Sequence, residues 1–503
     1  MTEPVSAIEY HERTKHSPER VRGGPGLDFS NKPRPFKVYR RLPAVSIDDA
    51  IEPPAMPALD AVLGHDSEDA DVDLATVATC CAYAAGITKT LALGGEPHHF
   101  RAAACTGALY HVNLYLVTGH LPGLAAGVYH YDPLHERLDT VRTGDYRGTI
   151  ATATGGAAGA SPVTVIATSN WWRNAWKYRE RTYRHAFWDT GTVLANLLAV
   201  AHARETPASV VTGFADKLIA DLIGVAPRRE APIALATIGG DGSSPPARTP
   251  VPIDPETEPL TSSPVEYPIL YAAWAASTLP DGDAVRDWRI PSSGLGDDIG
   301  DGERAALDPV DRHTATDRPL AETIERRGSC RRYAREDISF RKLSTVVDRA
   351  VSGVPMDVRD PDGDALQFVD CYWIVNGVDA LDSGTYQYHP DDGTLESLRD
   401  GAFRQAAGHL ALDQRLGVDA AVCIYFMANV DAVCQQFGDR GYRIAQLEAA
   451  LTAGRLYLTT YAHRTLGGTG LTFYDDAVTA CFEPRVDERT PMFLYTIGSP
   501  DRG

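Results

Sequence analysis

The sequence contains no run of about 18 apolar residues, so no membrane-spanning helix is expected. It has no Cys-x-x-Cys pair either. Its eight cysteines (Cys80, Cys81, Cys105, Cys330, Cys371, Cys423, Cys434, Cys481) are scattered, which removes the common zinc and thioredoxin spacings. Positive charge is scarce: 48 lysines and arginines stand against 67 aspartates and glutamates, a formal net charge of −19. That balance argues against a general nucleic-acid surface, which needs a basic patch, but leaves room for a local basic pocket that takes a phosphate. The stretch Met1 to Lys15 lacks the apolar core of a secretory signal, and thiols without a pairing pattern read as reduced and mostly buried, so the expected setting is the cytoplasm. What remains is ordinary for a globular protein, with 44% hydrophobic and 23% charged residues. A chain of 503 residues is too long for one ordinary core, so two domains are expected.

The second half of the chain restates the first. Arg181-Thr-Tyr-Arg184 and Arg440-Gly-Tyr-Arg443 lie 259 residues apart. So do Gly213-Phe-Ala-Asp216 and Thr472-Phe-Tyr-Asp475, and Thr237-Ile-Gly239 and Thr496-Ile-Gly498. Upstream, Gly127-Val-Tyr-His-Tyr-Asp-Pro133 and Gly384-Thr-Tyr-Gln-Tyr-His-Pro390 are 257 apart. Ordered matches at nearly constant spacing imply a tandem duplication. Such a chain is expected to be a fused homodimer with an interface along a pseudo-two-fold axis, where a site can lose one copy and keep the other.

Each half mixes strands and helices. Val112–Val117 and Gly127–Tyr131 alternate as strands do, Pro162–Ala167 is a β-branched run suited to a central strand, and Tyr183–Ala203 has apolar residues at helical spacing without proline. Arg440–Thr465 repeats that long buried helix. The expected fold is therefore α+β, two tandem domains with a central sheet and a long helix each. The boundaries are 1–240 for the N-terminal domain, 241–319 for a Gly/Ser/Pro-rich linker and irregular acidic segment, and 320–503 for the C-terminal domain.

Several motifs carry a resemblance: Tyr10-His-x-x-Thr-Lys-His16, Gly107-Ala-Leu-Tyr110, the Gly127–Pro133 segment, Lys177-Tyr-x-x-Arg-x-Tyr-Arg184 and Gly438-Asp-Arg-Gly-Tyr-Arg443. In this order they resemble the nitroreductase superfamily and, within it, the SagB/ThcOx-type dehydrogenases, which oxidise thiazoline and oxazoline rings in peptides using FMN. The resemblance implies three cofactor contacts. An Arg-x-Ser-x-Arg segment opening a helix grips the phosphate, here Arg327, Ser329 and Arg331; two guanidinium forks and a hydroxyl suit a dianion. A small-residue loop walls the flavin ring, here Arg101, Cys105, Thr106 and Gly107, with Ala104-Cys105 in place of the family's Pro-Ser and Thr106 left to donate a hydrogen bond. A glycine loop after the long helix, here Gly467, Gly468 and Thr469, presents backbone N–H groups. On composition alone the arginine segment also reads as a solvated basic helix start, and the ring loop as a tight turn before a strand.

The first half lacks the phosphate grip and glycine loop, and the second half offers only Asp364–Asp370 where the ring wall should be. One FMN site per chain, composed across the pseudo-dimer interface, is the expectation. The catalytic pair implied by the resemblance is Lys177-Tyr178, matched by Gln436-Phe437 in the second half. A partly desolvated Lys acts as a base and Tyr relays the proton; the bland alternative is a surface Lys and a packing Tyr. Trp171, Trp172 and Trp176 either wall a substrate pocket or form plain core. Because Arg181/Arg184 and Arg440/Arg443 occur in both halves, they read as structural. For Tyr10–His16 no physical role follows from the sequence, and no metal site is expected. The implied partners are a peptide substrate and a cyclodehydratase, with no nucleic acid and no membrane. Two other readings stay open: an NAD(P)H-dependent flavin reductase on a small molecule, and a non-catalytic scaffold of a peptide-modifying complex.

Overall fold

The computed structural model describes residues 4–23, 26–64, 71–93, 96–240, 242–289, 300, 302–312, 314, 318–351, 353–359, 366–486 and 488–501. In the first repeat the strands are β1 (Ala44–Ser46), a hairpin β2 (Ile87–Leu93) and β3 (Glu96–Arg101), β4 (Val112–Thr118), β5 (Gly127–Asp132), β6 (Arg137–Thr143), β7 (Val163–Asn170), β8 (Ala208–Val211) and β9 (Glu230–Ile238). The second repeat has β10 (Arg304–Ala306), β11 (Tyr333–Ala334), β12 (Asp370–Val375), β13 (Gly384–His389), β14 (Thr394–Asp400), β15 (Val422–Ala428), β16 (Gly467–Leu471) and β17 (Thr490–Pro500). The first sheet runs β1-β6-β5-β4-β7-β9-β8. The second runs β10-β14-β13-β12-β15-β17, with β16 and β11 on β17. Strand for strand these are one antiparallel order used twice, so the expected α+β fold with two sheets is what the chain adopts.

The helices that matter here are α1 (Ala7–Thr14), α2 (Leu74–Ala85), α3 (Trp171–Tyr178), α4 (Thr182–Ala203), α5 (Asp216–Ile223), α6 (Pro268–Ala276), α7 (Gly282–Trp288), α8 (Leu320–Arg326), α9 (Val430–Phe437), α10 (Asp439–Ala462) and α11 (Asp475–Phe482). The long helices α4 and α10 are buried nearly throughout and cross each other in the core. Small residues allow the approach. A Cβ added to Gly191 would lie 2.6 Å from the Ala450 Cβ, and one added to Gly454 would lie 2.6 Å from that of Ala195. Positions 191 and 450, like 195 and 454, are repeat equivalents, so the pseudo-two-fold axis passes through the crossing. Tyr183 stacks on its own equivalent Tyr442, centroids 6.4 Å apart at 16°.

The motif Tyr10–His16 acquires a role in this interface. Thr14 accepts from Arg184 Nε (3.2 Å) through its hydroxyl and from Arg181 Nη1 (2.7 Å) through its carbonyl. The His11 carbonyl accepts from Arg184 Nη2 (2.8 Å), and both arginines pair with Asp475 at the start of α11. The His11 ring meets Tyr442 and Thr490 of the second repeat. The arrangement recurs after α6: Ser277 accepts from Arg443 Nε (2.8 Å) and Arg440 Nη1 (3.1 Å), Trp274 from Arg443 Nη2 (2.9 Å), and both arginines pair with Asp216 of α5. Each repeat thus begins with a short helix whose end satisfies buried guanidiniums shared with the other repeat. Within residues 241–319 lie α6, α7 and β10, and β10 pairs antiparallel with β14 as β1 does with β6.

Candidate functional site

The ring loop leaves the β2–β3 hairpin and turns back into β4. Gly107 has φ +64°, and an added Cβ there would stand 2.6 Å from the Tyr178 hydroxyl, so only glycine lets the loop meet α3. Both donors of Thr106 turn inward, N–H at 2.9 Å and O–H at 2.7 Å from Asp189 Oδ1. The Cys105 thiol donates to Asp189 Oδ2 at 2.9 Å, and His111 Nε2 lies 2.8 Å from the same oxygen, with Nδ1 on Ser169. Thr106, expected to donate to a ring, instead fastens the loop to α4, because a buried carboxylate offers the stronger acceptor. Cys105, His111 and Asp189 fall within 4.8 Å of one another, as metal ligands do. Their 2.8–2.9 Å contacts are proton-bridged distances, however; ligands about 2.0–2.3 Å from a tetrahedral zinc stand farther apart.

Helix α3 starts on Asn170, whose side chain accepts from the Arg173 N–H, and ends at the Lys177-Tyr178 pair. Lys177 places Nζ 5.0 Å from the Tyr178 ring centroid. Burial lowers its pKa, and Arg331 of the other repeat lowers it further, which puts the two cations in one electrostatic neighbourhood. Tyr178 is pushed up by burial, then by Asp189 and Cys105, and stays a phenol; its ring meets His185 edge-on at 4.6 Å. Trp172 and Trp176 pack with Leu109 beside this pair, in a cluster separate from the main core.

From the second repeat, Arg327 donates Nε to the Ala102 carbonyl (2.9 Å) and Nη2 to that of Arg101 (3.1 Å), stacking 5.5 Å from the Tyr457 ring. The segment 327–332 follows the C-terminal end of α8 outside any helix or strand; it does not open a helix. The expected helix N-terminus is therefore absent from the phosphate grip, and its positive character comes from the guanidiniums alone. Gly467 and Gly468 likewise lie in strand β16, not in a loop, with Thr469 beside them. The Gly468 carbonyl accepts from Cys330 N (3.0 Å), and a Cβ on Gly467 would press on the Cys330 side chain at 3.2 Å, so the glycines admit the arginine segment. Ser329 is half-buried and Arg331 exposed.

Arg331 acts on Lys177 electrostatically and Arg327 bonds to the carbonyls of residues 101 and 102, so cations of both repeats stand near one another in a strongly acidic chain. Arg101 is 5% exposed, its Nε has no hydrogen-bond partner, and it lines a cavity with Ala103, Ala104, Cys105, Tyr110 and Asp189. A phosphate-bearing cofactor with a flat ring fits this donor set. In the other half, aromatic side chains gather at the counterpart of Tyr178. Trp288 and Phe368 pack on Phe437, the counterpart of Tyr178, at 5.8 and 5.5 Å, and Trp288 donates to the Phe437 carbonyl at 2.9 Å. Arg289 donates to Asp357 and to the Thr154 and Gly213 carbonyls. Of the weak second-half ring loop, Asp364 and Ala365 lie outside the described residues. Sequence reasoning missed Asp189, whose signal is a lone acid inside an apolar helix, and Trp288-Arg289, which stand in a stretch read as linker.

Residues 71–240 match the model of the Nitroreductase family. A putative nitroreductase of Methanocaldococcus jannaschii is 25% identical over 184 residues, 36% of this chain and 90% of that protein. The trifolitoxin-processing protein TfxB of Rhizobium leguminosarum is 32% identical over 130 residues, 24% of this chain and 34% of that protein. The crystal structure of a putative nitroreductase from Anabaena variabilis superposes with a TM-score of 0.78 at 24% identity, covering 99% of this chain and 100% of that one, so the fold is shared through both repeats.

Proposed function

We propose that the chain is an FMN-dependent dehydrogenase that oxidises azoline rings, thiazolines or oxazolines, to azoles in a ribosomally made peptide, with one FMN in the cleft between the repeats. One observation carries this reading: the cation set of the second repeat meets the ring loop and Lys177-Tyr178 of the first, Arg327 bonding to the carbonyls of residues 101 and 102. Bound FMN supplies a two-electron acceptor for hydride. Arg327, Ser329 and Arg331 hold its phosphate, and Gly467, Gly468 and Thr469 let that segment close in. Arg101 and the small residues through Gly107 wall the ring. Lys177, its pKa lowered by burial and by Arg331, is the base that takes the ring proton at Nζ. Tyr178, kept protonated, orients the substrate by donating a hydrogen bond. Trp172 and Trp176 exclude water from one side. The likeness to a trifolitoxin-processing protein supports a peptide substrate, and a cyclodehydratase that forms the azoline is the expected partner.

The test is an azoline peptide incubated with the FMN-loaded protein. Loss of two hydrogens per ring, abolished by Lys177→Ala with FMN still bound, is the expected result. No mass change, together with rapid anaerobic bleaching of the flavin by NADPH, would instead establish the small-molecule reductase.

A further inference from the structure

The loop Cys105–Tyr110 is held in a conformation its sequence does not favour. Gly107 is free to be left-handed, but Ala108 (φ +53°) and Tyr110 (φ +48°) are left-handed without being glycine. Such residues persist only where the surroundings over-determine them, and they concentrate at ligand clamps. Two side chains outside the loop do this. Asp189, 3% exposed in α4, accepts from Cys105 Sγ and from the N–H and O–H of Thr106, and pairs with His111. Arg173, 1% exposed in α3, donates Nη1 to the Tyr110 carbonyl (3.0 Å) and to Asn113 Oδ1 (3.1 Å).

The other repeat supplies the contrast. Glu448 stands at the position equivalent to Asp189 and accepts from Phe368 N at 2.8 Å, yet Ala432 stands where Arg173 does. Among the described residues 366–375 no φ is positive. A helix carboxylate on this loop is thus common to both repeats. The arginine belongs only to the repeat that keeps Lys-Tyr.

We propose that Asp189 and Arg173 are positioning residues that clamp loop 105–110 in the strained form, presenting Gly107 to Tyr178 and walling the cofactor cleft. What the loop faces rests on the FMN reading; the clamp does not. The full chain is compared as wild type, Asp189→Asn, Arg173→Met and Glu448→Gln, by hydrogen exchange of the peptide over 104–111, FMN titration and the visible circular dichroism of bound FMN. Methionine at 173 removes the buried cation instead of stranding a partner charge, which favours a folded variant. Thr106→Val, which loosens the clamp from the loop side, gives a second route should Asp189→Asn not fold. The expected result is faster exchange in that peptide, FMN binding weakened at least tenfold and an altered flavin dichroism in the first two variants, with Glu448→Gln at wild-type values. Unchanged exchange and affinity in folded Asp189→Asn and Arg173→Met would overturn the clamp. Faster exchange in a protein whose wild type binds no FMN would uphold the clamp and overturn the cofactor reading.

Discussion

Glu448 and Asp475 are equally buried carboxyls that their neighbours send in opposite directions. Glu448 is buried in α10 with two backbone N–H donors, from Phe368 and Val369, and Asp370 near it; desolvation dominates and raises its pKa to about 8. The folded state therefore holds the proton more tightly than the unfolded chain, and the stability this adds is full below about pH 4.5 and drains away as pH rises to about 8. Glu448→Gln is expected to flatten that slope, so the melting temperature, measured from pH 5 to 9, falls less steeply than in the wild type. Asp475 is equally buried, but Arg181 and Arg184 outweigh desolvation and hold its pKa far below the carboxylate range. Its contribution is present above the unfolded value and lost only in strong acid. Asp475→Asn leaves two buried guanidiniums without a counter-ion and is expected to cost about 3–5 kcal/mol in denaturant titration at pH 7. The symmetric Asp216→Asn should cost the same, since Arg440 and Arg443 depend on it alike.

At the level of elements, the decisive contacts are backbone approaches that a single methyl group would block. Gly107→Ala is expected to cost about 1 kcal/mol or more of stability and to weaken FMN binding, because the new Cβ is met by the Tyr178 hydroxyl and ring and the position needs φ +64°. A titration that shows wild-type affinity would refute it. Much of this element structure was legible beforehand: the strands around Val112 and Gly127, the central strand from Pro162 and both long helices stand where the period of their apolar residues put them. The course of residues 327–332 outside any helix and the strand at Gly467–Leu471 were not. A short polar or glycine-rich stretch takes its geometry from neighbours; here Cys330 N finds the Gly468 carbonyl, and that pairing decides the path of both.

At the scale of the molecule, the halves of the duplication carry different parts: the arginine segment 327–331 stands only in the second and Lys177-Tyr178 only in the first. At the counterpart of Tyr178, Trp288 and Phe368 pack on Phe437, and Arg289 is ion-paired to Asp357. One FMN per chain is therefore expected at saturation. Trp288→Ala is expected to keep that stoichiometry, since no arginine grip stands opposite; two flavins per chain by absorbance would contradict this.

The duplication, the fold class, the apolar faces of the helices and the asymmetry of the motifs were fixed by residue order alone, because periodicity and spacing are properties of the chain itself. Tertiary structure decided the rest: that α1 and α6 are equivalent interface helices, that Asp189 and Arg173 bond to the ring loop, and that Trp288 packs on Phe437. These depend on which side chains, hundreds of positions apart, come to share one buried hydrogen bond, and no local pattern records that.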